Sequence, residues 1–467
     1  MTNEQNFYCT TVNTVVPLLK RNIQHTFQLN YQYTHLKSSN HPIKNQMIMK
    51  KQFFITLLGL SLVACNSDEF LPQANDDVEV LPMENLRTET EAIEIATKGL
   101  NEFYPIKSRT AHDLSGMNVV MLQSPASRSN EDSNPLYVVN FGNESGYAIV
   151  SAAKDREPLL AVTESGSITS LDEIDNPGLR LFVDGAMKLQ KDTTARVPNP
   201  GGDGGEKVSI FWNDTVFHAQ NNIEPRITVK WGQRYPEGEL CPNGLSGCTL
   251  TAAAQTLSYF KYPENLNITF PEREVNATPL DWDNMKKINS TNYPFRIKSD
   301  YNIQLSLLCR ELGHKIHAIY SENSTGAYLY KLRDYLRIIL PTNKFSFSEW
   351  IESYPETNKV LGNGILLMQG YRLALKNSKD PNSGYERKGH AWVIDGYNYK
   401  YYTVYVYCQE LDTSKIELER QFDKVELYSH VNWGWNGIDN GYFTNETFKT
   451  SNGEYDRDFA YFVLKTK

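Results

Sequence analysis

The chain has 467 residues, 40% of them apolar, 22% charged and 12% aromatic, enough for a sizeable core and about three folded units. With 47 basic against 55 acidic residues the formal charge is −8, which leaves no electrostatic footprint for nucleic acid; 28 Gly and 21 Pro exclude collagen-like and low-complexity classes. Six cysteines in this length do not make a disulfide scaffold.

Lys50 and Lys51 precede a 12-residue apolar run, Phe53 to Ala64, which ends in Leu62-Val63-Ala64-Cys65. The run is too short for a bilayer core, which takes about 20 apolar residues. A basic start, an apolar middle and a small residue before the cut are the parts of an export signal. The Leu-Val-Ala-Cys end resembles a bacterial lipoprotein box, which makes Cys65 a lipidation site; a buried helix with a chance cysteine is the other reading. On the export reading, residues 1–48 are an upstream extension or a disordered tail, 49–65 the lipoprotein signal peptide and 66–82 an acidic, solvated tether. The folded body is then extracytoplasmic, held at a bacterial membrane through Cys65, with periplasmic and outer-surface display both open.

Residues 83–197 read as a small α+β unit. Thr88 to Phe103 has helical spacing, with Ala92, Ile95, Leu100 and Phe103 near one face. Pro135 to Gly142 and Tyr147 to Ala152 read as a hairpin, and Pro158 to Val162 as a third strand. Residues 198–207, opening with Pro198-Asn199-Pro200 and four glycines, cannot pack a core and form an exposed joint open to proteolysis.

Residues 208–467 form the larger unit. A helix is expected from Cys248 to Tyr262, where Leu250, Ala253, Ala254 and Leu257 make an apolar stripe and Pro263 stops it. A second is expected from Ile303 to Leu312. The C-terminal third is aromatic, β-branched strand text: 390–399, 401–408, 425–433, 441–443 and 459–464. Helices first and an antiparallel sheet later predict an α+β fold.

Cys248 carries the chemistry. Ser246-Gly247 permits a tight turn directly before its helix, and a thiol in a first helical turn meets the positive end of the dipole, which lowers its pKa. A Gly-Cys before a helix is more often a buried structural cysteine, so it needs partners. His390 lies 142 residues on, in Gly389-His390-Ala391-Trp392, where it is expected to open a strand directly after a loop. A cysteine near the start of a unit with a His about 130–150 residues downstream is the arrangement of papain-like peptidases. Asn432 beside Trp433 can orient an imidazole and shield that contact from water. Gln233 can donate to an oxyanion together with the Cys248 backbone N–H. Of the other cysteines, Cys241, Cys309 and Cys408 read as core or loop thiols.

The ordered blocks Trp231-Gly232-Gln233, Gly247-Cys248 with Ala252 to Gln255, Met368-Gln369-Gly370, Gly389 to Gly396 and Val431 to Trp435 resemble streptopain-like bacterial cysteine peptidases of the papain fold. The front unit, Tyr137 to Asn143 and Gly146 to Ala152, resembles that family's inhibitory prodomain. The resemblance implies a papain-like catalytic domain, a helical half plus an antiparallel sheet half, behind a small α+β prodomain. It implies Cys248 as nucleophile, His390 as general base and acid, Gln233 in the oxyanion hole, Asn432 and Trp433 holding the imidazole, and Gln369, Gly389 and Gly326 near the substrate. It implies protein or peptide substrates, the chain's own prodomain as inhibitor, no cofactor and no metal. Thr249-Leu250 after the nucleophile departs from the family pattern, and the loop Ser324 to Ala327 matches only in part. A surface-binding lipoprotein on the same fold, without turnover, remains the alternative.

Overall fold

The computed structural model describes residues 85–105, 116–123, 134–142, 144–189, 209–288, 300–376, 384–410, 415–448 and 457–467. The expected export signal with Cys65, the expected tether and the expected 198–207 joint lie outside these residues.

In the N-terminal unit, helix α1 (Glu89–Phe103) opens with a capping box: Glu91 N–H donates to Thr88 Oγ1 (3.2 Å) and Thr88 N–H to Glu91 Oε2 (2.6 Å). Strands β1 (Asn118–Leu122), β2 (Leu136–Asn140), β3 (Tyr147–Ser151) and β4 (Leu159–Thr163) form an antiparallel meander beneath it. Strands β2 and β3 are buried on both faces, because α1 covers one side and helix α2 (Pro177–Met187) the other. Helix α2 was not anticipated, although its start carries the signals: Pro177 in the first turn and Asn176 as cap, its Oδ1 accepting from the N–H groups of Gly178 and Leu179.

The C-terminal unit contains β5 (Ser209–Ile223), α3 (Cys248–Phe260), α4 (Asp300–Lys315), α5 (Leu329–Ile339), β6 (Phe345–Phe347), β7 (Gly364–Leu375), β8 (Tyr385–Glu410), β9 (Ile416–Asn432), β10 (Gly441–Thr444) and β11 (Arg457–Thr466). Helix α3 begins at Cys248 as expected but is buried all round, beyond a single stripe: Thr249 to Ser258 are all buried. It ends at Lys261 in the left-handed region, φ 50°. The two strands anticipated on either side of residue 400 are one 26-residue strand, β8.

The two units share one sheet. Its eleven strands, among the described residues, run β1-β2-β3-β4-β10-β9-β8-β7-β11-β6, with β5 added on β8. The seam is β4 against β10, pairing Ala161 with Phe443, Val162 with Tyr442 and Thr163 with Gly441. A Cβ at Gly441 would lie 2.2 Å from the Val162 carbonyl oxygen, so only glycine admits this approach. Ion pairs reinforce the seam: Lys424 to Glu157 (3.1 Å), Lys400 to Glu102 (2.6 Å) and Arg372 to Asp184 (3.4 Å).

Strand alternation divides the core. Ile365, Leu367 and Val393 point to the layer of α3, α4 and α5; Leu366, Met368, Trp392 and Ile394 point to the opposite layer, where α2 lies. His390 shares the parity of Trp392 and Ile394. The chemistry-bearing end of β8 is therefore overlaid by the N-terminal unit.

Candidate active site

Cys248 is the first residue of α3, half-buried, with Gly247 as cap in the left-handed region (φ 81°). A Cβ at Gly247 would lie 2.5 Å from the Thr325 carbonyl, so glycine is needed for both space and conformation. Burial pushes the Cys248 thiol up. The hydrogen bond and charge of His390, the Ala391 backbone N–H and the Thr249 side chain oppose it and win, leaving the pKa below the ordinary thiol value. Two side chains 142 residues apart in sequence thus border one cavity.

His390 is 4% exposed. It lies five residues inside β8, not at its start, because Tyr385 to Gly389 remain paired with β7. Its Nε2 donates to the Trp433 backbone carbonyl at 2.9 Å. Trp392, Trp433 and Trp435 surround the ring, with centroids 6.2, 6.4 and 6.3 Å away. Asn432 makes its side-chain hydrogen bonds elsewhere than to the imidazole. Its Oδ1 accepts from Gln255 Nε2 (3.0 Å) and the Gly434 N–H (3.1 Å), and its Nδ2 donates to Val229 O (3.2 Å). The expectation that its side chain orients His390 is corrected: a main-chain oxygen one residue on does so. Asp395, on the opposite face of β8 from His390, serves a separate buried pair, with Oδ1 at 2.6 Å from His430 Nδ1 and Oδ2 accepting the Ile227 N–H.

A cavity of about 240 Å³ opens beside the thiol, lined among others by His317, Ile319, Tyr328 and Tyr371, together with Cys248 and His390. Gln369, Gly389 and Gly326 line it too. Gln369 Oε1 accepts the Leu329 N–H at 3.3 Å, and Gly389 is needed because a Cβ would lie 2.3 Å from the Tyr371 ring. Gly326 faces open space. Gln233 does not line this cavity; its carbonyl accepts the Ser246 N–H (2.8 Å), which ties its loop to the turn before Cys248.

Beneath that loop lies a residue the sequence did not single out. Glu237 is fully buried, its Oε1 accepting the Gly232 N–H at 3.0 Å while Oε2 has no partner. Burial pushes its carboxyl up to about 7, against hydrogen bonds from its own and Gly232's N–H. The folded state thus holds this proton more tightly than the unfolded chain. The stability it contributes is complete at low pH and is lost as pH rises from the ordinary carboxylate range through about 7. Glu237→Gln keeps an oxygen for Gly232 and never ionises. Relative to the parent it is expected to gain about 3 kcal/mol of stability between about pH 4 and pH 8. Unfolding curves at both pH values check this; parallel behaviour of the two proteins would refute it.

The N-terminal unit closes over the site. A Cβ on Gly178, at the start of α2, would lie 2.4 Å from Trp433 Cε3 and 2.6 Å from His390 Cδ2. The loop after Trp433 is gripped from the same side. Asp439, buried and with φ 64°, accepts from Tyr147 OH (3.1 Å) and Asn176 Nδ2 (3.2 Å), while Ser165 Oγ donates to the Gly437 carbonyl (2.8 Å). Burial raises the Asp439 carboxyl to about 6 despite its two donors.

Residues 231–443 match the Peptidase C10 family, and residues 84–188 match the Spi protease inhibitor family. The chain is a streptopain-like cysteine peptidase with a prodomain. Streptopain of Streptococcus pyogenes serotype M1 is 22% identical over 403 residues, covering 78% of this chain and 86% of that protein. A second Streptococcus pyogenes streptopain is 22% identical over 404 residues, with the same coverage. A solved fragment of Prevotella intermedia prointerpain A has a TM-score of 0.45 at 21% identity, covering 74% of this chain and 98% of the fragment. In the peptidase, the matched inhibitor region is the part that bears Gly178, Tyr147 and Asn176, so the contacts on His390 and Asp439 are intramolecular inhibitor contacts. Cys241, Cys248, Cys309 and Cys408 are all free thiols.

Proposed function

We propose that this is an exported cysteine endopeptidase zymogen that hydrolyses protein or peptide substrates with Cys248 as nucleophile. The observation that carries the reading is that Cys248, the first residue of its helix, and His390 line one cavity, where the imidazole draws the thiol below its ordinary value. The Cys248 thiolate attacks the scissile carbonyl and the Cys248 N–H and the Gln233 amide stabilise the oxyanion. His390, with Nε2 held by the Trp433 carbonyl, protonates the leaving amine; water then releases the acyl-enzyme with His390 as base. Gln369, Gly389 and Gly326 border the bound chain.

In this reading residues 83–197 are the inhibitory prodomain, 198–207 the joint cut on activation and 208–467 the peptidase domain. Cys65 carries the lipid that keeps the precursor extracytoplasmic and membrane-anchored until processing releases the body. The test is labelling of the processed protein with an epoxide probe for thiol peptidases, alongside turnover of a protein substrate. Modification at Cys248 with parallel loss of turnover is expected. An unlabelled, folded, processed protein would favour a binding role instead. Radiolabelled palmitate incorporation that disappears in Cys65→Ser tests the anchor separately.

A further inference from the structure

Gln255 sits two turns after Cys248 on α3, on the same face, and is fully buried. Its Nε2 uses both hydrogens: one goes to the Trp231 carbonyl (3.1 Å), the other to Asn432 Oδ1 (3.0 Å). Trp231 stands two residues before Gln233. Asn432 Oδ1 also receives the Gly434 N–H, and the residue between, Trp433, supplies the carbonyl that holds His390. One turn nearer the thiol, Thr251 Oγ1 makes a parallel tie to the Gly232 carbonyl at 2.8 Å.

We propose that Gln255 is a positioning residue of the peptidase reaction: its amide locks the Gln233 loop and the loop that holds His390 to the nucleophile helix. The inference rests on the reading of Cys248 and His390 as the reacting pair. Its physical warrant is the cost of the arrangement. The helix face it shares carries Thr251, Ala252 and Ser258, all buried, and Gln255 Oε1 is buried without a partner. A burial-only role would be met by an apolar side chain of equal length, with no orphaned oxygen. What the glutamine adds is two donors aimed at two loops at once; of these, Thr251 ties the Gly232 loop to the helix one turn earlier. Placement matters because misplacing reacting groups by about 1 Å costs on the order of 100-fold in rate.

The experiment compares the processed parent, Gln255→Met and Gln255→Glu in kcat, KM, unfolding midpoint and the pH profile of Cys248 alkylation. Met fills the space without donors, and its kcat is expected to fall about 10- to 100-fold with KM within about 3-fold. Its alkylation profile moves to higher pH as the His390 support loosens. The introduced carboxyl keeps one donor while protonated and none when ionised, so kcat of Gln255→Glu falls as pH rises through its pKa, a limb the parent lacks. This second variant carries the test if the first does not fold. Parent-like kcat and alkylation profile in folded Gln255→Met, or absence of the new limb in Gln255→Glu, would overturn the inference. A parent that neither turns over substrate nor alkylates selectively at Cys248 would instead overturn the underlying assignment.

Discussion

Cys248→Ala is expected to reduce kcat/KM of the processed peptidase by about 10⁵- to 10⁶-fold, the loss that removal of a nucleophile causes in comparable serine enzymes. The fold should survive, because the half-buried thiol leaves only a small void at the first residue of an otherwise fully packed helix. His390→Ala should be nearly as damaging, and it tests the electrostatics separately. With His390 present, its hydrogen bond and charge draw the thiol below the ordinary value; without it, burial remains as the largest influence and pushes the thiol up. Alkylation of Cys248 by iodoacetamide should therefore set in below the ordinary thiol range in the parent, and require more alkaline solution in His390→Ala. Identical alkylation profiles in the two proteins would show that the imidazole does not set the thiolate.

Gly178→Val is expected to undo latency in the uncut chain. The position does not need glycine for its backbone, since its φ lies outside the left-handed region; space alone decides. The atoms that an added carbon meets belong to the buried rings of Trp433 and His390, which are packed on Trp392 and cannot retreat. Overpacking of this kind costs about 1–3 kcal/mol, which loosens the inhibitor unit by roughly 5- to 150-fold. The measurement is the rate at which an epoxide probe labels Cys248 in the uncut precursor: slow in the parent, faster in Gly178→Val, intermediate in Gly178→Ala. Equal rates would mean that the α2 contact does not guard the site.

How much of this was readable in advance varied with the kind of interaction. Helix α3 could be placed because its start and stop are local: Gly247 before it, Pro263 after it. The β2–β3 hairpin was visible for the same reason. The seam was not, because β4 and β10 lie some 280 residues apart and nothing in Leu159 to Thr163 names its partner. Strand β5 escaped because Asn213 to Asn222 are exposed on both faces, so no alternation marks them. In the candidate site, residue type and spacing were enough to expect Cys248 and His390 at one cavity. Asn432 was assigned the wrong contact because the true acceptor is a carbonyl, which every residue carries. Glu237 and Gln255 gave no signal of their own, since a buried polar residue declares its partners only in three dimensions.

The shared sheet also bears on timing. A protease that severs the 198–207 stretch removes a covalent link but leaves the β4–β10 ladder, the three ion pairs and the grip on Asp439 untouched. On the proposed activation route, scission and unmasking are then separate events with separate rates, with a nicked but silent complex between them. In that proposed route the lifetime of the intermediate is expected to follow unzipping along the Ala161–Thr163 border rather than the cutting step.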